Sequence, residues 1–243
     1  MTPEELVHDV CPRIGALGPA YYFAPATLER AGELGLDPFR FYLLGRGGVL
    51  GDVDASVAHS ALGYFNPTML ADLWTSACEV LDPKVAAAEY LECAAAHGRR
   101  HLPDVDGLDA LCAAAEAVAA AADPMALTLY AAAATFPRAT DVPGRTMQLL
   151  SLLREYRGSA HLLALRACGV DTKTAHHIRR PNDVALFGWA PGDAPVITDA
   201  DRRGMELAEQ MTDQIVTPAF AALDQAGAEA LARGLKAVEV ALA

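Results

Sequence analysis

The sequence predicts an all-α protein, a multi-helix bundle with at most a small β-ribbon. Hydrophobic residues make up 53% of the 243 residues, and aromatic residues make up only 7%. Much of the hydrophobic fraction is alanine. Alanine is the best helix former and a poor strand former. Charged residues make up 21%, so the composition is typical of a folded domain and excludes a disordered chain.

Helix start signals recur along the chain. Asn66, Asp82 and Asp123 each precede a proline, which is the arrangement of an N-cap followed by proline at the first helical position. Thr198 and Asp224 are further N-cap candidates. Together with the hydrophobic spacing, these signals predict helices at about 3–16, 25–35, 38–45, 54–62, 67–80, 83–98, 107–122, 124–135, 144–168, 172–180, 199–222 and 225–242.

Residues 181–197 are the one stretch that does not fit a helix. They contain three prolines and two glycines, which predicts a loop or a short β-ribbon near 184–197. A weaker signal of a boundary between two regions lies near residue 140, at "PRATDVPGR". It predicts an N-terminal helical region over 1–140 and a second region over 141–243, either separate or packed as one compact unit.

The charge and the cysteines limit the partners and the compartment. The net charge is −12, which argues against duplex DNA and against anionic membrane surfaces. No run of 18 apolar residues occurs, so no membrane span is expected. The N-terminus "MTPEELVHDV" is too acidic for a signal peptide, and the five scattered cysteines form no CxxC pair. We therefore expect a cytoplasmic protein with free thiols.

The stretch "LLREYRGSAHLL" contains charged residues in a helix whose other residues are mostly apolar and predict burial. At about 100° per residue, Arg154, Arg157 and His161 share one polar window with Gly158, and outside that window the helix is apolar nearly all round. A glycine inside a helix costs about 1 kcal/mol relative to alanine. One benefit it can bring here is room for a group to approach the backbone.

Three interpretations of this window are open. The two arginines could pair with carboxylates of the protein itself, such as Asp52, Asp54 or Glu155. They could instead hold an anionic or carbonyl group of a ligand, for which the rigid donor fork of arginine is suited. In that case the histidine could donate a hydrogen bond or act as a general acid or base. The third interpretation is a plain solvated face.

A second group of residues could complete such a pocket. "YYFAP" at 21–25 and "FRFYLLGRGGVLG" at 39–51 hold six of the sixteen aromatic residues. The glycine-rich turn lacks the spacing of a P-loop or a dinucleotide fingerprint, so a helix C-cap is the simpler explanation. The candidate wall residues are Tyr22, Arg46, Tyr64 and Tyr156, the last of which projects from the opposite side of the long helix.

The histidines do not predict a metal site. His97 and His101 are four residues apart, but "HGRRHLP" crosses a glycine and an expected helix end. His176 and His177 are adjacent and point to different faces. No HExxH pattern and no His/Cys constellation occurs. We expect no metal ligands; the cofactor is left unknown, with haem bound through His161 as an open alternative.

Several stretches together resemble a known family: "YFAP", "GRGGVLG", "YFNP", "LLREYRGSAHLLAL" and "ITDADRRGMELAEQMTD". They are similar to a large actinobacterial family of winged helix-turn-helix, MarR-like proteins, over nearly the whole chain. The helix with Arg154, Arg157, Gly158 and His161 is the most specific part of the resemblance. It implies an N-terminal helical region followed by a winged helix, with "ITDADRRGM" at the entry to the last long helix.

The chain departs from that pattern between Gly169 and Ile197. Only about 27 residues remain there, too few for a helix-turn-helix pair and a wing, so the C-terminal part is predicted to be a degenerate winged helix. The basic patch "HHIRRP" at 176–181 is small beside a net charge of −12. DNA is therefore not expected as a partner.

The sequence thus predicts a helical small-molecule-binding protein, with an enzyme of specialised metabolism as one form of that function. Its anionic or carbonyl-bearing ligand would lie at Arg154, Arg157 and His161. The alternative is a winged helix-turn-helix transcription regulator that forms a ligand-responsive homodimer through its terminal helices. A structural or partner-binding protein without a polar cavity beside His161 is the third possibility.

Overall fold

The computed structural model describes residues 1–243 and contains twelve α-helices and no β-strand. Three short 3₁₀ turns lie at Gly48–Leu50, Val184–Phe187 and Pro191–Asp193. The helices are α1 (Pro3–Leu17), α2 (Pro25–Glu33), α3 (Pro38–Gly47), α4 (Ala55–Leu62), α5 (Pro67–Cys78), α6 (Pro83–His101), α7 (Leu108–Ala121), α8 (Thr128–Ala133), α9 (Val142–Ala167), α10 (Thr172–Arg179), α11 (Asp199–Phe220) and α12 (Gln225–Ala241). The predicted all-α class is confirmed.

Most of the predicted helix starts form as the caps indicate. The side chains of Asn66 and Asp82 each accept hydrogen bonds from two backbone amides of the helix that follows. Thr198 and Asp201 form a reciprocal capping box at the start of α11. Local side-chain chemistry therefore fixes where these helices begin.

The start predicted at Asp123 is wrong. The carboxylate of Asp123 accepts from the amide of Met125 and so caps a turn. Ala126 then takes a left-handed conformation, with φ at +63°, and the helix begins only at Thr128. Because alanine rarely adopts that conformation, nothing in the sequence signals the break.

The segment 181–197 forms turns and no ribbon. Its first 3₁₀ turn packs against the connection between α4 and α5, where Phe187 stacks on Phe65 with ring centroids 4.5 Å apart. The indole of Trp189 donates to the carbonyl oxygen of Tyr64 over 3.0 Å. The segment thus covers the helical core instead of projecting as a wing.

Helix α9 runs through the centre of the molecule. Fifteen of its 26 residues are buried, and it packs against α6, α7, α8, α1 and α11. The main core extends from Leu6 to Val238, so it draws on both sides of the division predicted near residue 140. At the crossing with α6, a side-chain carbon on Gly98 would lie 2.1 Å from the carbonyl oxygen of Pro143, so only glycine allows this approach.

None of the helices combines the length and the apolarity that a bilayer crossing requires.

Candidate functional site

A buried ion cluster lies where α3 meets α9. Arg46 on α3 binds Glu155 on α9 through two parallel hydrogen bonds, from Nε to Oε1 over 3.0 Å and from Nη2 to Oε2 over 2.9 Å. Arg154 donates from Nη1 to the same Oε1 over 3.0 Å. Burial alone would raise the pKa of Glu155, but the charges of Arg46 and Arg154 and hydrogen bonds from Arg46 and Tyr22 lower it to about 2.

Tyr22 completes this cluster. Its hydroxyl donates to Glu155 over 3.0 Å and accepts from Arg154 over 3.1 Å, and burial raises its pKa. The guanidiniums of Arg46 and Arg154 lie 5.5 and 5.2 Å from the centroid of the Tyr22 ring. The structure therefore brings the predicted residues Tyr22, Arg46 and Arg154 together.

The cluster holds more positive than negative charge. Two guanidiniums share the single carboxylate of Glu155, and the other polar groups nearest to them are the phenols of Tyr22 and Tyr42. A buried charge without a counterion is costly. The cluster is thus an electrostatically favourable place for an anionic group.

Arg157 is paired within the protein. Its Nη2 donates to Glu209 over 2.8 Å and to Asp213 over 3.3 Å, both on α11. Burial raises the pKa of Glu209, but the hydrogen bond from Arg157 and the nearby positive charges bring it below its ordinary value. For this arginine, pairing with carboxylates of the protein is what the structure shows.

His161 lies beside that pair. Its Nδ1 is 2.9 Å from the hydroxyl of Thr212, and that hydroxyl donates to the carbonyl oxygen of Ala208 over 2.6 Å. Nδ1 must therefore be the donor, which leaves Nε2 as an acceptor. Burial lowers the pKa of His161, and the opposing charge of Glu209 does not restore it. Burial thus favours the neutral imidazole, whose Nε2 lies 3.9 Å from Oε1 of Glu209.

Open space borders the window at Gly158. This half-buried glycine lies inside α9, yet a side-chain carbon built on it would meet nothing within 4 Å. Tyr64 lies nearby: burial and Glu209 raise its pKa, while the charges of Arg154 and Arg157 act against that shift. Gly158 is therefore not required for helix packing, and the space beside it is available to another molecule.

Tyr156 does not belong to this site. Its ring packs 4.8 Å from that of Tyr130, and its hydroxyl donates to the carbonyl oxygen of Ile215 over 3.5 Å. It lies on the side of α9 opposite the arginines, as the helical spacing indicates.

The α11 residues that face the window were not predicted from the sequence. Glu209, Thr212 and Asp213 lie on one face of α11, with the two carboxylates four residues apart. That spacing was the available signal for a shared partner. Tyr42 was also missed: it lies one turn before Arg46 and accepts from its Nη1 over 2.7 Å.

The expected helix end at Gly98 is wrong. Helix α6 continues to His101, so the rings of His97 and His101 lie 4.4 Å apart. No group of three or more His, Cys, Asp or Glu side chains is arranged to hold a metal ion.

Two connections have the length and the glycine typical of a helix-turn-helix. Four residues join α4 to α5 and four join α9 to α10, with Gly63 and Gly169 at φ of +77° and +75°. Helix α5 carries no basic residue, whereas α10 and its end carry Lys173, Arg179 and Arg180. Of the two connections, the one between α9 and α10 is therefore followed by the helix with the positive charge that nucleic-acid binding requires.

Comparison with known proteins gives one match. The sequence model of a helix-turn-helix family matches residues 8–185, which is well over half of the chain and includes both connections. Neither a curated protein nor a solved structure matches.

Proposed function

The chain belongs to a helix-turn-helix family, and from its buried charge we propose that it is a small-molecule-binding protein that holds an anionic or carbonyl-bearing ligand at Arg154. The observation that carries this proposal is an unused edge of the Arg154 guanidinium. Its Nη1 donates to Tyr22 and Glu155, while Nε and Nη2 have no hydrogen-bond partner in the protein, in a side chain that is 24% exposed. Arg46 uses the same Nε and Nη2 edge to bind Glu155.

The surroundings of that edge support the proposal. Nε and Nη2 together bind a carboxylate or phosphate in two parallel hydrogen bonds. The cluster carries one positive charge beyond Glu155, and the open space at Gly158 lies one turn further along α9. In an enzymatic form of this function, His161 would accept a proton through Nε2.

Native mass spectrometry of the purified protein tests this function. We expect the wild-type protein to carry an anionic small-molecule adduct, and Arg154→Gln to weaken it about tenfold or more, because charge-assisted hydrogen bonds contribute roughly 1.5–3 kcal/mol. Arg202→Gln is the matched control, since Arg202 is exposed on α11. A wild-type protein without an adduct, or an adduct that survives Arg154→Gln, would contradict the proposal.

A second candidate function is transcription regulation, which family membership favours. In this form, α10 would contact DNA through Lys173, Arg179 and Arg180. Glu209 offers a route for a ligand response, because its carboxylate lies 2.8 Å from Arg157 and 3.8 Å from Arg179. A MarR-like regulator would also carry a wing, and the absence of any strand counts against that closer relationship.

A mobility shift with the DNA upstream of the protein's own gene tests the second candidate. A regulator would give a shift at low salt that weakens steeply as salt rises. Arg180→Gln should then weaken the shift, while Arg233→Gln, an exposed arginine on α12, should not. The absence of a shift at low salt would exclude this candidate.

A further inference from the structure

A second cavity lies directly beside the ion cluster, because Arg46 and Glu155 are among its lining residues. Its walls come from α3, α6, α9 and the segment after α8, and its volume is about 40 Å³. That is room for about three water-sized groups, which is the size of a carboxylate head. Apolar residues make up half of the lining, among them Val49, Leu152 and Phe136.

Arg138 stands at the rim of this cavity. It is the one half-buried arginine that forms no ion pair in the protein. The backbone amide of the next residue, Ala139, donates to the buried side chain of Gln148 over 2.7 Å. This bond ties the chain beside Arg138 to α9, so Arg138 is held next to the cavity.

The charge inside the cavity favours an anion. Its charged groups are Arg46, Arg138 and Glu155, and Glu155 is already neutralised because Arg46 and Arg154 both bind it. Ser151 adds a hydroxyl, which lies 3.3 Å from that of Tyr21. The charged groups of the lining therefore carry one positive charge in excess, beside a small, half-apolar space.

We infer that this cavity is a second anion-binding site, in which Arg138 holds the carboxylate of a small organic acid with an apolar body. The carboxylate would lie among Arg138, Arg46 and Ser151, and the apolar body would lie against Phe136 and the exposed Pro137. Neither Arg154 nor Gly158 lines this cavity, so the site is distinct from the Nε and Nη2 edge of Arg154.

Calorimetric titration with benzoate, acetate and phosphate tests the inference. We expect saturable benzoate binding, with weaker binding of the two probes that lack an apolar body. Arg138→Gln should weaken benzoate binding about tenfold or more, since it removes a charge-assisted hydrogen bond. Its melting temperature should not change, because Arg138 has no partner in the protein to lose. Arg100→Gln, an exposed arginine on α6, is the matched control and should bind as the wild type does.

Gly158→Ala separates this site from the proposed function. It fills the space on the Arg154 side and leaves the second cavity untouched, so benzoate binding should survive it. Benzoate binding that falls in Gly158→Ala but not in Arg138→Gln would overturn the inference and support the site at Arg154. Absence of saturable binding by any of the three probes would also overturn it, and would leave the native adduct at Arg154 as a separate question.

Discussion

Arg46 and Glu155 form a bidentate ion pair across the contact between α3 and α9, with hydrogen bonds of 3.0 and 2.9 Å. Both side chains are about 10% exposed, so water screens this pair little. Since Arg154 binds the same carboxylate, Glu155 is the only negative charge for two guanidiniums. Removing the carboxylate of Glu155 and removing the guanidinium of Arg154 should therefore reduce the stability of the fold by unequal amounts.

Glu155→Gln should destabilise the protein strongly. It leaves Arg46 and Arg154 without a carboxylate, and breaking a buried pair in this way typically costs about 3–5 kcal/mol. Arg154→Met leaves the Arg46–Glu155 pair balanced and should cost less than about half as much. Urea unfolding of the two variants measures the difference. Equal losses would mean that the cluster has no surplus of positive charge.

The Glu155 pair should also set part of the acid limit of stability. The pKa of Glu155 is about 2 in the folded protein, below the value of about 4.3 for a free glutamate. A lowered folded pKa gives stability that is complete above the unfolded value and lost as pH falls from there through about 2. The free energy of unfolding should thus fall between about pH 5 and pH 2 in the wild type. That decline should be shallower in Glu155→Gln.

Protonation of buried histidines should reduce the stability of the protein at a higher pH than protonation of Glu155 does. Burial lowers the pKa of His97 to about 4, with smaller contributions from His101 and Arg100, and burial also lowers the pKa of His161 and His176. Between about pH 6.5 and pH 4 the unfolded chain therefore binds more protons than the folded one, so stability rises with pH in that range.

Urea unfolding at pH 7.5, 6 and 5 checks whether the free energy of unfolding falls as these histidines are protonated. His97→Gln should make the fall in the free energy of unfolding with decreasing pH less steep. The effect should be smaller than the pKa shift of His97 alone implies, because solvent partly screens the half-buried ring. His8→Gln, at an exposed position on α1, should leave the slope as it is. A stability that stays constant from pH 7.5 to pH 5 would contradict the assignment to histidines.

The sequence predicted the helices well because their signals are local. Asn66, Asp82 and Thr198 cap helices within three residues of themselves, so no distant contact is needed to recognise them. The pairing of Arg157 with Glu209 spans 52 residues, and the choice between a ligand and an internal partner depends on which face of α11 packs there. Helical spacing alone placed Arg157 correctly in the window and could not supply that partner.

Two glycines inside helices should respond in opposite ways to alanine. Gly98→Ala places a carbon 2.1 Å from a backbone oxygen of α9, so α6 and α9 must separate, at a cost of about 1–3 kcal/mol or more. Gly158→Ala meets no atom within 4 Å and should stabilise the protein by up to about 1 kcal/mol, because alanine is the better helix former. Thermal unfolding of both variants checks the signs.

The same Gly158→Ala variant links stability to the proposed function. If a ligand occupies the space beside Gly158, the added methyl group should reduce the native adduct even as the melting temperature rises. A stabilised variant with an undiminished adduct would place the ligand elsewhere on Arg154, whereas a destabilised one would show that the space is filled by the protein itself. Because the variant is expected to be more stable than the wild type, loss of the adduct could not be attributed to unfolding.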